Sequence, residues 1–205
     1  MRRRTVVVIL VIAAVVAGGV WGFLHSQGRV RRLASGGDRI NVLLIGLDGV
    51  EDSVRCAVTA IASLSSGGAA SVLVVPTGLR LRSDVGGMDT VASLYETRGP
   101  AALADSLAAF LGVDILFHVE AGFAMLERAI DASGPLEVLV GQPFSCSDST
   151  SFPALDFSLT TGSQRLSGAE VIAYLRCADA DSRGRGLLAQ QEVLAGMMRA
   201  GMGLP

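Results

Sequence analysis

The chain has 205 residues, half of them apolar and 18% charged, with a mean hydropathy of +0.51 and a formal net charge of −2. That apolar fraction excludes a disordered chain, and the length suits one domain with a full core plus an appendage. All 17 basic residues are Arg, and eleven of them lie beyond residue 32 together with all 19 acids. That part of the chain therefore lacks the basic face that bulk nucleic-acid binding needs.

Residues 1–4 form a basic stub holding Arg2, Arg3 and Arg4. Residues 5–24 follow without a charge, and a run of roughly 20 apolar residues is what crossing about 30 Å of hydrocarbon requires. Trp21 stands near the far end, where an interfacial ring is expected. The apolar region of a cleaved signal peptide is shorter, about 7–15 residues. The expectation is a single membrane-spanning anchor at 5–24 with its basic stub in the cytoplasm. A tether at 25–38 and an extracytoplasmic domain at 39–205 would follow.

Residues 39–47 (RINVLLIGL) form a dense apolar run that reads as a buried central strand, with Asp48 at its end. Residues 54–64 read as a second strand, 65–69 as a turn, and 71–75 as a third strand stopped by Pro76. Residues 80–89 read as an irregular loop. The period then changes: residues 100–111 open with Pro100 and set Leu103, Leu107, Phe110 and Leu111 on one helical face. A strand at 115–119 follows, with His118 expected half-buried in it, then a helix at 123–132 and a strand at 136–140. Residues 142–153 read as a Ser-rich loop and 155–159 as a strand. A helix is expected at 167–176, with Ser167 as N-cap and Glu170 completing a capping box, and a last helix at 187–202. Strands and helices are interspersed. The predicted fold is α/β: a single three-layer α-β-α domain with a central mixed sheet, preceded by one transmembrane helix.

Ligand sites in such sheets lie at strand ends, where Asp48 stands; a lone Asp after a strand is also a common turn former. Arg55 lies in a strand pattern otherwise apolar or small, and Arg is rarely buried without a partner, so it snorkels or meets an anion. Arg176 closes an apolar helical run, where it complements the helix dipole or meets an anion. Cys56, Cys146 and Cys177 fit no metal-binding spacing. In an oxidising setting two of them can pair and one is left over; Cys56–Cys177 and Cys146–Cys177 are both open.

Taken together, RINVLLIGLD, VRCAVTAIASLS and SVLVVP resemble the opening of the LytR-CpsA-Psr family. There an apolar strand ending in Gly-x-Asp precedes Arg-Ser-Asp-Thr, a strand and Ile-Pro-Arg-Asp. YETRGPAALADSLAAFLGVDILFHVEAGFAMLERAIDASGPLEV is similar to three further family pieces. GSQRLSGAEVIAYLR follows the block Gly-x-x-x-Leu-x-Gly-x-x-Ala-x-x-Tyr-x-Arg, and AQQEVLAGMM resembles the Arg-Gln-Gln helix. The resemblance runs from about Arg39 to Met202.

It implies a membrane-anchored phosphotransferase of the cell envelope. Such enzymes take a glycopolymer from a polyprenyl-pyrophosphate carrier and join it through a phosphodiester to peptidoglycan. Arg forks would hold the pyrophosphate, carboxylates would hold Mg²⁺, and an apolar cavity would take the lipid tail. Carried over residue by residue, Asp48 is the first carboxylate, a catalytic residue and a metal ligand. Arg55 and Arg176 are catalytic and substrate-binding, and Arg183, Arg185 and Gln190 are substrate-binding. Several positions depart from the family pattern. The second carboxylate falls at Ala57, and the following Thr falls at Val58. Pro-Arg-Asp is Pro76-Thr77-Gly78, and Lys-x-Asn is Thr90-Val91-Ala92. The partner two residues beyond Arg176 is Ala178, and the Arg before Gln190-Gln191 is Ala189. Arg80, Arg82, Asp84 and Asp89 are candidate substitutes from the nearby loop. The expectation is a transferase with a degenerate site. The alternative is a non-catalytic envelope scaffold, or a relative that binds polyprenyl phosphate or glycopolymer.

Overall fold

The computed structural model describes residues 39–49, 54–65, 70–82, 86–148, 155–180 and 185–202. They fall into two compact units, one ending at Gly122 and the other beginning at Phe123.

The first unit is built on a four-stranded mixed sheet. The apolar run after Arg39 forms β1 (Ile40–Asp48), and β2 (Arg55–Leu64) and β3 (Ala70–Val74) follow it as an antiparallel meander. The other neighbour of β1 is β6 (Phe117–Gly122), which runs parallel to it, so the strand order is β3-β2-β1-β6. β1 is thus interior to the sheet, as its unbroken apolar run predicts. Between β3 and β6 lie a two-stranded ribbon, β4 (Arg80–Arg82) with β5 (Met88–Thr90), and helix α1 (Val91–Leu111). Leu43, Ile45, Cys56 and Ile61 on one sheet face pack with Leu94, Leu103 and Leu107 of α1 into a dry core.

α1 is longer than the expected 100–111. It begins after Thr90, whose hydroxyl accepts the Ser93 N–H at 3.1 Å, the usual N-cap bond. Gly99 (φ 81°, ψ 178°) interrupts it, so Pro100 opens a second helical segment, where a missing N–H costs nothing. Phe110 was expected on the buried face, yet it is 57% exposed. The expected loop at 80–89 instead contains the β4–β5 ribbon, and His118 is exposed on β6.

The second unit starts with α2 (Phe123–Ser133) and β7 (Leu136–Val140). The Ser-rich stretch expected to be a loop contributes β8 (Phe144–Asp148), which pairs antiparallel with β9 (Leu155–Leu159). β10 (Gly162–Leu166), unforeseen in the sequence, closes around that hairpin onto β7. α3 (Gly168–Ala180) starts on the expected capping box: the Ser167 N–H donates to Glu170 Oε2 at 2.7 Å and the Glu170 N–H donates to Ser167 Oγ at 3.4 Å. α4 (Arg185–Met202) completes the unit. Cys146 on β8 and Cys177 on α3 form a disulfide, and Cys56 is a buried free thiol. The Cys56–Cys177 alternative is thereby excluded.

The layered α/β fold with a mixed central sheet stands; the membrane-spanning helix expected before it is not found among the described residues. Among the described residues no helix is long and apolar enough to cross a membrane. The expected anchor at 5–24 lies outside the described residues, so the single-pass topology, the membrane as partner and the extracytoplasmic placement drawn from it are withdrawn.

Candidate functional site

In the first unit the expected residues Asp48 and Arg55 meet. The antiparallel register sets them directly opposite at the ends of β1 and β2. One guanidinium nitrogen (Nη2) of Arg55 donates to Asp48 Oδ2 at 3.3 Å. The carboxylate is nearly enclosed, whereas the Arg55 side chain is 53% exposed. A β-bulge immediately precedes the pair: Gly46 faces Val58 and Leu47 faces Cys56, so Ala57 is the extra residue of β2. Bulges bend a strand and re-aim its side chains, and they are common beside sites. By the alternation of β1, Leu43 and Ile45 point to the α1 core and Asp48 points to the other face.

The position that aligned with Pro-Arg-Asp is a tight turn tied to the start of α1. The Leu79 N–H donates to the Pro76 carbonyl at 3.0 Å, and the Thr77 carbonyl accepts the Ala92 N–H at 3.0 Å. Thr77 and Gly78 thus serve the helix start and bring no charge. Of the candidate substitutes, Arg80 donates across its own ribbon to the Met88 carbonyl at 3.3 Å. Arg82 is exposed and Asp89 half-buried, and Asp84 lies outside the described residues.

The second unit holds the remaining candidates. Arg176 does not close its helix: α3 continues to Ala180 and has no basic residue in its last turn, so the helix-dipole reading falls away. Its guanidinium lies over the Phe123 ring at 5.9 Å, within cation–π range. Arg185 is held twice, by donation to the Pro143 carbonyl at 2.8 Å and by the Phe144 ring at 5.7 Å. Gln190 is buried on α4, and Arg183 lies outside the described residues. Two supporting residues escaped the sequence reading. Glu192 accepts the Tyr174 hydroxyl at 2.5 Å and the Gly141 N–H at 2.8 Å. This clamps α3 and α4 beside the strand that carries Phe144, whose ring meets Tyr174 edge-on at 5.2 Å. The sequence signal was the tyrosine itself, two residues before Arg176; its partner is 18 residues away.

Among the described residues, the donors at this strand end do not make up a preformed Mg²⁺ site. That ion wants near-octahedral oxygen coordination, usually one or two carboxylates completed by phosphates and waters. Asp48 brings one carboxylate, already beside a guanidinium. Ala57 brings a methyl group, and no cluster of three or more His, Cys, Asp or Glu among the described residues suits a metal.

Comparison with known proteins agrees on the fold. The model of the LytR_cpsA_psr family matches residues 25–202. The solved structure of Bacillus subtilis TagV superposes with a TM-score of 0.65 at 19% identity, covering 80% of this chain and 65% of that one. TagT bound to LIIa-WTA gives 0.64 at 21% identity, covering 83% and 66%. The LytR-CPS2A-psr family protein YwtF (TagT) with bound octaprenyl pyrophosphate lipid gives 0.63 at 21% identity, covering 83% and 68%. The chain therefore spans about two thirds of the length of these structures, and slightly less for the first two. No match was found among curated proteins.

Proposed function

Because the chain belongs to the LytR-CpsA-Psr family, we propose that it is a cell-envelope protein that binds the pyrophosphate of a polyprenyl-linked glycopolymer, with Arg55 as the leading contact. The observation that carries this reading is the Asp48–Arg55 pair. It sits at a strand end beside a bulge, and the guanidinium is fixed on one side and more than half exposed. A planar fork held in this way is preorganised for charge-assisted, bidentate bonds to phosphate oxygens. A family relative solved with octaprenyl pyrophosphate bound supports the choice of ligand.

Carrier binding without efficient transfer to peptidoglycan follows from what is missing. Ala57 and the Pro76-Thr77-Gly78 turn leave family positions without charge. Each charge-assisted bond is worth about 1.5–3 kcal/mol, and roughly 1.4 kcal/mol is already tenfold in rate. The test is titration of the full chain, and of Arg55→Ala, with octaprenyl pyrophosphate in micelles. Wild type should bind, and Arg55→Ala should bind at least about tenfold more weakly. Incubation with lipid-linked glycopolymer and peptidoglycan fragments should yield no transferred polymer. Absence of binding at high micromolar lipid refutes the proposal.

A further inference from the structure

We infer that Asp48 is the counter-charge that aims Arg55 at a phosphate, and not a ligand for Mg²⁺. This deepens the pyrophosphate-binding reading above and rests on it.

Three observations carry it. Asp48 and Arg55 are register partners at the end of β1 and the start of β2, so their side chains rise from the same sheet face and meet at 3.3 Å. The burial is lopsided, with the carboxylate nearly enclosed and the guanidinium largely in solvent. That is the arrangement of an enclosed acid steadying a guanidinium that reaches towards solvent. A divalent cation on the same carboxylate would sit beside a fixed positive charge, and like charges at such range repel. Finally, the residue that the family pattern makes the second carboxylate is Ala57, the extra residue of the bulge, so the strand geometry that would present an acid presents a methyl group.

The two roles differ in sign. If Asp48 held a metal, amidation would weaken phosphate binding, and so would chelation. If it is a counter-charge, Asn keeps an oxygen acceptor for Arg55 and removes a negative charge beside the bound anion, so binding tightens. We would titrate the full chain and Asp48→Asn with a short-chain prenyl pyrophosphate by calorimetry, once in Mg²⁺ and once in EDTA. Wild type should bind equally in both buffers, within about twofold, and Asp48→Asn should bind about threefold to tenfold tighter in both. Arg55→Gln should bind weakly in both. Wild-type binding lost in EDTA, or Asp48→Asn weakened only in Mg²⁺, overturns the inference and leaves the pyrophosphate reading intact. No wild-type binding in either buffer overturns both. If Asp48→Asn fails to fold, as a thermal melt would show, the wild-type chelator comparison still decides.

Discussion

Each of the two tyrosines donates its hydroxyl to a carboxylate. Tyr95 donates to Glu120 Oε2 at 3.2 Å, and burial first, then the charge of Glu120, pushes its phenol up to about 12. Tyr174 is raised by burial and then by Glu192, with Arg185 opposing. A folded-state pKa above the unfolded value means that the protonated phenols contribute their full stability below about pH 10 and lose it as pH rises towards 12. At pH near 10, where an ordinary tyrosine is half ionised, the native protein should show almost no phenolate absorbance, and denaturant should release it. Half-ionised tyrosine in the native state at that pH would contradict these contacts. Tyr95→Phe should flatten the alkaline loss of stability. Legibility at this scale follows sequence distance. Ser167 and Glu170 were readable as a pair because three residues separate them on one helical turn. Tyr95 and Glu120 are 25 apart and meet only through the packing of α1 against β6. Asp48 and Arg55 were readable one at a time; their contact depends on a register that no local pattern states.

Among the elements, α4 carries a tight constraint at Gly196. A methyl group there would lie 2.6 Å from the Glu137 carbonyl oxygen on β7, closer than real contacts allow. Gly168, at the start of α3, has the same relation to the Glu127 carbonyl of α2. Alanine normally gains about 1 kcal/mol over glycine inside a helix, but overpacking costs about 1–3 kcal/mol. Gly196→Ala should therefore lower the melting temperature; an unchanged or raised value would mean that α4 can shift away from β7. Among the elements foreseen correctly, β1, β2 and α4 carry long apolar or periodic runs. The β4–β5 ribbon and β8 are short, and β8 is polar, so hydrogen-bonding partners define them more than their own composition does. α1 was half legible because Gly99-Pro100 resembles a helix start and is in fact an internal break.

For the molecule as a whole, the covalent tie is Cys146–Cys177, with a sequence separation of 31. Closing a loop of that size limits the unfolded chain by about 3–4 kcal/mol in the chain-entropy account. Reductant, or Cys146→Ser, should lower the melting temperature accordingly. Alkylation of the unfolded chain without reductant should label Cys56 alone, and three labels would show that the bridge is absent. The α/β class and the interior place of β1 were legible from the order of apolar runs. The pairings were not, because β7 closes on β10 around an intervening hairpin and nothing in the sequence of either strand names the other. The parallel edge of β1 has a similar remoteness: Val42 lies beside Phe117 and Leu47 beside Gly122. On the ribosome, β1 and its meander emerge while the codons for 117–122 are still unread. Through that interval one row of β1 amides and carbonyls is exposed to any passing strand, which makes the time to translate α1 the window in which a nascent chain is most open to aggregation.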